Sequence, residues 1–199
     1  VKALPLAHRR AHAPAPSSPA TTQMLASGGG VLRLPPRSDI LPSVLSAIAL
    51  GPTLVVVPTA ADASHLTSRL RRAGATVAFV PDDWAAAAGG VDVVVGARSA
   101  AWMPCAGMAA AIVVDEHDEA LQEERSPTWH ARDVIAERCF RAGVPVVYVS
   151  PIPTLVAIED LAGPDGPVHP TAERERLHWP HVQVVDRTDE DPWKKSLVT

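Results

Sequence analysis

Four residues in a row, Asp115, Glu116, His117 and Asp118, follow directly on the apolar run AAIVV at 110–114. A buried strand that ends in carboxylates is one way to present a phosphate ester with a metal and a water. Asp115 could hold Mg²⁺ through water, and Glu116 could orient an attacking water. The bland alternative is a solvated acidic turn that retains only an attraction for hard cations. Residues 115–124 contain no Lys or Arg, so the run repels a nucleotide unless donors and a cation face it.

Other residues invite similar pairs of readings. Arg98 and Ser99, in GARSA (96–100), could contact a nucleic-acid phosphate, or Arg98 could pair internally with an acid such as Asp92 or Asp118. Trp129 follows the acidic run and could stack on a base, whereas the remaining tryptophans, at 84, 102, 179 and 193, fit packing. HARD (130–133) lacks the H-E-x-x-H zinc spacing, and a polar network tying its helix to the acidic turn is expected of it. His178 and His181 lie in a Pro-rich tail and are expected to be exposed polar groups. Arg69, Arg71 and Arg72 form a basic patch at a helix end, as dipole complement or partner contact.

These residues need elements to position them. The runs 31–34, 53–58, 76–80, 91–96, 110–115 and 144–150 are short, apolar and rich in Val, which predicts buried strands. Between them, 38–50, 62–74, 126–143 and 154–163 show helical spacing, with a Ser-Pro start at 126 and Gly stops at 74 and 143. Strands alternating with helices predict a parallel α/β sheet with helices on both faces, and ligands at the carboxyl ends of its strands. Residues 1–23 carry four prolines and are expected to be an extended linker. The main unit is expected over 24–163, and 164–199 as its end and a connection onward, with a strand candidate at 181–186. The first residue is Val, which suits a piece of a longer protein.

Composition narrows the function classes. The net charge is −4, so any nucleic-acid contact must come from a local arginine cluster. Of eighteen basic residues only three, Lys2, Lys194 and Lys195, are lysines. Cys105 and Cys139 lack metal or redox spacing, and no apolar run is long enough to span a membrane, so a reduced, cytoplasmic setting is expected.

Taken in order, GARSA (96–100), DEHD (115–118), HARD (130–133) and VSPIPTL (149–155) resemble the motifs of the PriA family of superfamily-2 replication-restart helicases, over about residues 24–190. The Arg-rich, Lys-poor composition resembles its divergent actinobacterial branch. The resemblance implies the first RecA-like lobe of a helicase and a role in replication restart: binding stalled or branched forks and assembling the primosome with other replication proteins. It implies Asp115, Glu116, His117 and Asp118 as the ATPase motif, Arg98, Ser99 and Trp129 as DNA contacts, and ATP with Mg²⁺ as cofactor. The family's zinc module lies beyond these residues, and no metal ligands are assigned within them.

The chain departs from that pattern where the phosphates should sit. A P-loop needs G-x-x-x-x-G-K-[ST], and the stretch after 31–34 is instead Pro35, Pro36, Arg37, Ser38 and Asp39. Two prolines remove N–H donors, and the planar guanidinium of Arg37 is a poor substitute for an ammonium group. The glycines at 28–30 precede the strand. Ile152 stands where the family has a hydroxyl, and the loop at 119–129 keeps one aromatic residue. A degenerate P-loop without ATP hydrolysis is therefore expected. Two alternatives stand beside it. One is an active ATP-dependent 3′-5′ DNA helicase using Arg37. The other is a small metal-dependent phosphate or nucleotide enzyme built on Asp115, His117 and Asp118.

Overall fold

The structure is a computed structural model that describes residues 17–161, 166–180 and 182–184. Residues 1–16 of the expected linker lie outside the described residues. So do His181, Trp193 and residues 185–186 of the last strand candidate; 182–184 carry no regular structure.

Six parallel strands form the sheet. In chain order they are β1 (Gly29–Arg33), β2 (Thr53–Val56), β3 (Val77–Phe79), β4 (Val93–Gly96), β5 (Ala110–Val114) and, after a small hairpin, β8 (Val146–Ser150). Their spatial order is β1-β8-β5-β2-β4-β3. Every residue of β2, β4, β5 and β8 is buried, so both faces must be covered, as their continuous Val-rich composition requires. Because side chains alternate along a strand, Val55, Ile112, Val147 and Val149 face one layer, and Leu54, Val113 and Tyr148 the other. Helices α1 (Pro19–Ala26), α2 (Leu41–Ile48) and α3 (Ala60–Arg72) cover the first face. Helices α4 (Trp84–Gly89), α5 (Ala131–Ala142) and α6 (Leu155–Leu161) cover the second. This is the parallel α/β architecture expected from the sequence, consistent with a RecA-like lobe.

Several local expectations are corrected. The linker expected over 1–23 runs into a helix: α1 starts at Pro19, where a ring that lacks an N–H costs nothing, and Ser18 caps it by accepting from Thr21 N. Helix α5 starts at Ala131 rather than at Ser126-Pro127. Trp129 and His130 are taken up by an antiparallel ladder, β7 (Trp129–His130) against β6 (Gln122–Glu123), and His130 Nδ1 caps the helix by accepting from Arg132 N. Helix α4 and a C-terminal helix α7 (Ala172–His178) are additional. Glycines 29 and 30 belong to β1 itself. A Cβ at Gly29 would strike Val146 O, and one at Gly30 would meet Met24 Cγ at 2.9 Å, so both permit close packing of β1 against β8 and α1.

Candidate functional site at the carboxyl edge of the sheet

The carboxyl ends of β1, β2, β5 and β8 converge on an open cleft of about 660 Å³. The loop Pro35–Asp39 forms one wall and Asp115 part of the floor, so the structure brings together two groups of candidate residues that lie 80 positions apart. The opposite wall is α3, through Asp62, His65 and Arg69, and Ser150 and Pro151 follow β8. Asp62 and His65 were missed in the sequence, where Arg69 was read only as part of a basic patch at a helix end, although their i, i+3, i+7 spacing places all three on one helical face. Glu116, His117 and Asp118 do not line the cleft, and neither do Arg98, Ser99 and Trp129.

The loop after β1 is a tight turn. Ser38 N donates to Pro35 O at 3.1 Å, with Pro36 at the first central position and Arg37 at the second, where its φ of 62° is one that glycine normally supplies. Pro35 and Pro36 have no N–H, and neither does Pro42 in the first turn of α2. Leu41 N donates to Asp39 Oδ1 at 2.9 Å, and Ser43 N and Val44 N donate to Ile40 O. The donors of this loop and helix start are therefore largely consumed within the chain. Asp39 Oδ2 accepts from Arg69 Nη2 at 2.6 Å across the cleft. That guanidinium holds the Asp39 carboxyl below the usual carboxylate range, and Asp39 in turn raises Arg69. Arg37 is exposed at the rim.

The acidic turn splits by residue. Asp115 adopts φ 49°, donates its N–H to Val149 O at 2.8 Å and accepts from Asp118 N at 2.8 Å. Burial raises its carboxyl above the usual range; His117 opposes this, and Asp118, Asp62 and Glu116 add to it. Glu116 turns the other way and is wholly buried. It accepts from Thr154 N at 2.7 Å, from Thr154 Oγ1 at 3.0 Å and from Arg132 Nη1 at 3.4 Å. Thr154 Oγ1 also accepts from Ala157 N at 3.1 Å and so caps α6. Thr154, two residues after Ile152, thus supplies the hydroxyl of this stretch that reaches the acidic turn. Arg132, of HARD, additionally holds Asp133 at 3.0 Å, which gives the network expected between that helix and the acidic turn. His117 Nδ1 lies 2.8 Å from Ser150 Oγ, and Asp118 accepts from Ala120 N at 2.8 Å. Burial lowers the pKa of His130 from its ordinary value, which favours a neutral ring with its proton on Nε2.

Arg98 is engaged internally, but with neither acid named for it in the sequence. Asp92 is bonded to Thr76, whereas Arg98 Nη2 pairs with Glu123 Oε2 at 2.9 Å and Nη1 donates to Gln122 O. Its guanidinium lies 5.9 Å from the Trp129 ring centroid, and Trp102 meets Trp129 edge-on at 5.5 Å. Trp102 is 60% exposed and Ser99 is exposed beside it. Among the described residues, no three His, Cys, Asp or Glu side chains gather in a way that could hold a metal ion. Burial pushes the thiols of Cys105 and Cys139 up to about 11 and about 12, which marks both as unreactive. Among the described residues, no helix is long and apolar enough to cross a membrane.

The residues of this site have counterparts to be sought in other proteins. No family model matches the chain. The replication restart protein PriA of Bacillus subtilis is 38% identical over 65 residues, which are 33% of this chain and 8% of that protein. The PriA of Thermotoga maritima is 28% identical over 153 residues, 71% of this chain and 20% of that protein. The chain is similar to PriA. It spans a fifth or less of the length of these relatives. Among solved structures, the C-terminal domain of a possible DNA helicase from Lactobacillus plantarum WCFS1 aligns at 19% identity and a TM-score of 0.40, covering 67% of this chain and 86% of that one.

Proposed function

We propose that this chain is the first RecA-like lobe of a PriA-type replication restart protein in which the fold is kept as a scaffold and ATP turnover is lost. The observation that carries the reading is the loop Pro35–Asp39. A triphosphate needs a cradle of N–H groups and a cation. Here three prolines at the loop and helix start lack the donor, the N–H groups of Ser38, Leu41, Ser43 and Val44 are bonded within the chain, and the Arg69 guanidinium is paired with Asp39. The residues present do not fit a nucleotide phosphate chain. Burial of Glu116 away from the cleft supports the same reading, because a water-orienting carboxylate must face the phosphate. The protein's part is to bind stalled or branched forks in the cytoplasm and to help assemble the primosome with other replication proteins. In this lobe Arg98, Ser99 and Trp129 are the group offered to DNA, with Arg98 reaching a phosphate only when its pair with Glu123 opens.

The test is fork-DNA binding by fluorescence anisotropy on the longest chain that contains these residues, with and without Mg·ATP, alongside phosphate release. Fork affinity indifferent to nucleotide, with no DNA-stimulated phosphate release, is the expected result. Turnover that disappears in Arg37→Ala would instead establish the active helicase. That second reading draws on one observation, the exposed guanidinium of Arg37 at the cleft rim. The metal-dependent enzyme has no comparable support, since His117 is spent on Ser150 and Asp118 on a turn N–H.

A further inference from the structure

We infer that the Asp39 carboxylate is an internal counter-ion that fills the corner of the cleft between the start of α2 and Arg69, where an oxyanion would otherwise sit, so that this corner is closed by the chain's own side chain. The inference rests on the loss of nucleotide binding proposed above and names the contact that enforces it. One oxygen of Asp39 accepts from Leu41 N, at the start of α2, at 2.9 Å. The other accepts from Arg69 Nη2, on α3, at 2.6 Å. A backbone donor at a helix start and a guanidinium on the facing wall, a few ångströms apart, are the pair of groups that would grip a phosphate oxygen. A tethered carboxylate meets both, at an effective concentration no dissolved anion can match.

The charge balance of the cleft agrees. Asp39, Asp62 and Asp115 face Arg37 and Arg69, an excess of carboxylates that disfavours a second anion. Asp62 accepts from the Thr59 hydroxyl at 2.5 Å and keeps its charge on that wall. Without Asp39 the count becomes even, and the Arg69 guanidinium is released toward the wall on which Arg37 already lies. A short polyphosphate is the matching class of ligand. The prolines at 35, 36 and 42 still deny it a full cradle, so the opened corner would hold it modestly.

Calorimetric titration of the 199-residue chain with inorganic tripolyphosphate tests the inference. Asp39→Ala removes both contacts, and Asp39→Asn keeps an acceptor for Leu41 N while removing the charge. The second variant keeps the test open if the first fails to fold. At low salt both are expected to bind at least ~10-fold more tightly than the wild type, the effect of one nearby charge at a protein surface. Adding Arg69→Met to either is expected to abolish the gain. No gain in a folded variant, or a gain that survives loss of Arg69, overturns the inference. Mg·ATP capture by the wild type is a separate outcome: it overturns the function proposed above, whereas a silent wild type with silent variants overturns the counter-ion alone.

Discussion

Glu116 carries the heaviest structural duty of any single side chain at the site. Its carboxylate is wholly buried and receives donors from Thr154 and Arg132, so three separate segments meet on one charge. Removing one partner of such a group leaves the others buried and unsatisfied, which costs more than the pair itself contributes. Glu116→Ala is therefore expected to lower unfolding free energy by roughly 3 kcal/mol, read as a fall in the urea midpoint. Glu116→Gln keeps an acceptor for Thr154 N and is expected to cost about 1 kcal/mol. Equal and negligible losses in the two variants would show that the network is dispensable. A tie between the HARD helix and the acidic turn was legible in the sequence. The part of Thr154 was not, because in VSPIPTL it was Ile152, at a position where a hydroxyl was expected, that drew the reading.

At the scale of elements, the continuous Val-rich runs announced the buried strands, because only a strand covered on both faces tolerates such composition. The helices with a clear polar face, α3 and the body of α5, were equally readable. Two of the short elements were not, although β3 and α6, which are also short, were. Helix α4 is six residues of mostly alanine, and the β6–β7 ladder pairs two residues with two, too few for any period to register. Helix α1 was hidden by its own start, since prolines at 14, 16 and 19 suggest extended chain until one of them falls on the first helical position. What fixes α1 is a hydroxyl relay. Thr21 Oγ1 lies 2.9 Å from both Ser18 Oγ and Ser43 Oγ, donating its one proton to one and accepting from the other, and Ser46 Oγ accepts from Ser18 N at 2.9 Å, which joins α1 to α2. Ser18→Ala removes the cap and part of the relay, with an expected loss of about 1 kcal/mol in thermal or urea unfolding. A loss confined to α1, seen as faster amide exchange over 19–26 with an unchanged midpoint, would mean that the helix is not part of the cooperative unit.

Across the whole molecule, the net charge is −4, and half of the twelve arginines among the described residues are already paired. Arg33, Arg69, Arg71, Arg98, Arg132 and Arg141 each hold a carboxylate. A surface of that kind neutralises few phosphates. For this chain alone, the logarithm of duplex-DNA affinity is expected to fall against the logarithm of salt with a slope no steeper than about −2. Anisotropy at several salt concentrations measures it, and a slope several times steeper would mean that the internal pairs open to release their arginines. Strand β1 is an outer member of the sheet, and Val168 lies along it, accepting from Arg33 N at 2.7 Å and donating to Val31 O at 3.0 Å. An uncovered strand edge is a template for another chain's backbone. That single residue, drawn from beyond the last sheet helix, acts as a stopper at this edge: it takes up backbone groups of Val31 and Arg33, and so discourages edge-to-edge growth along β1, though not along β3, the other outer strand.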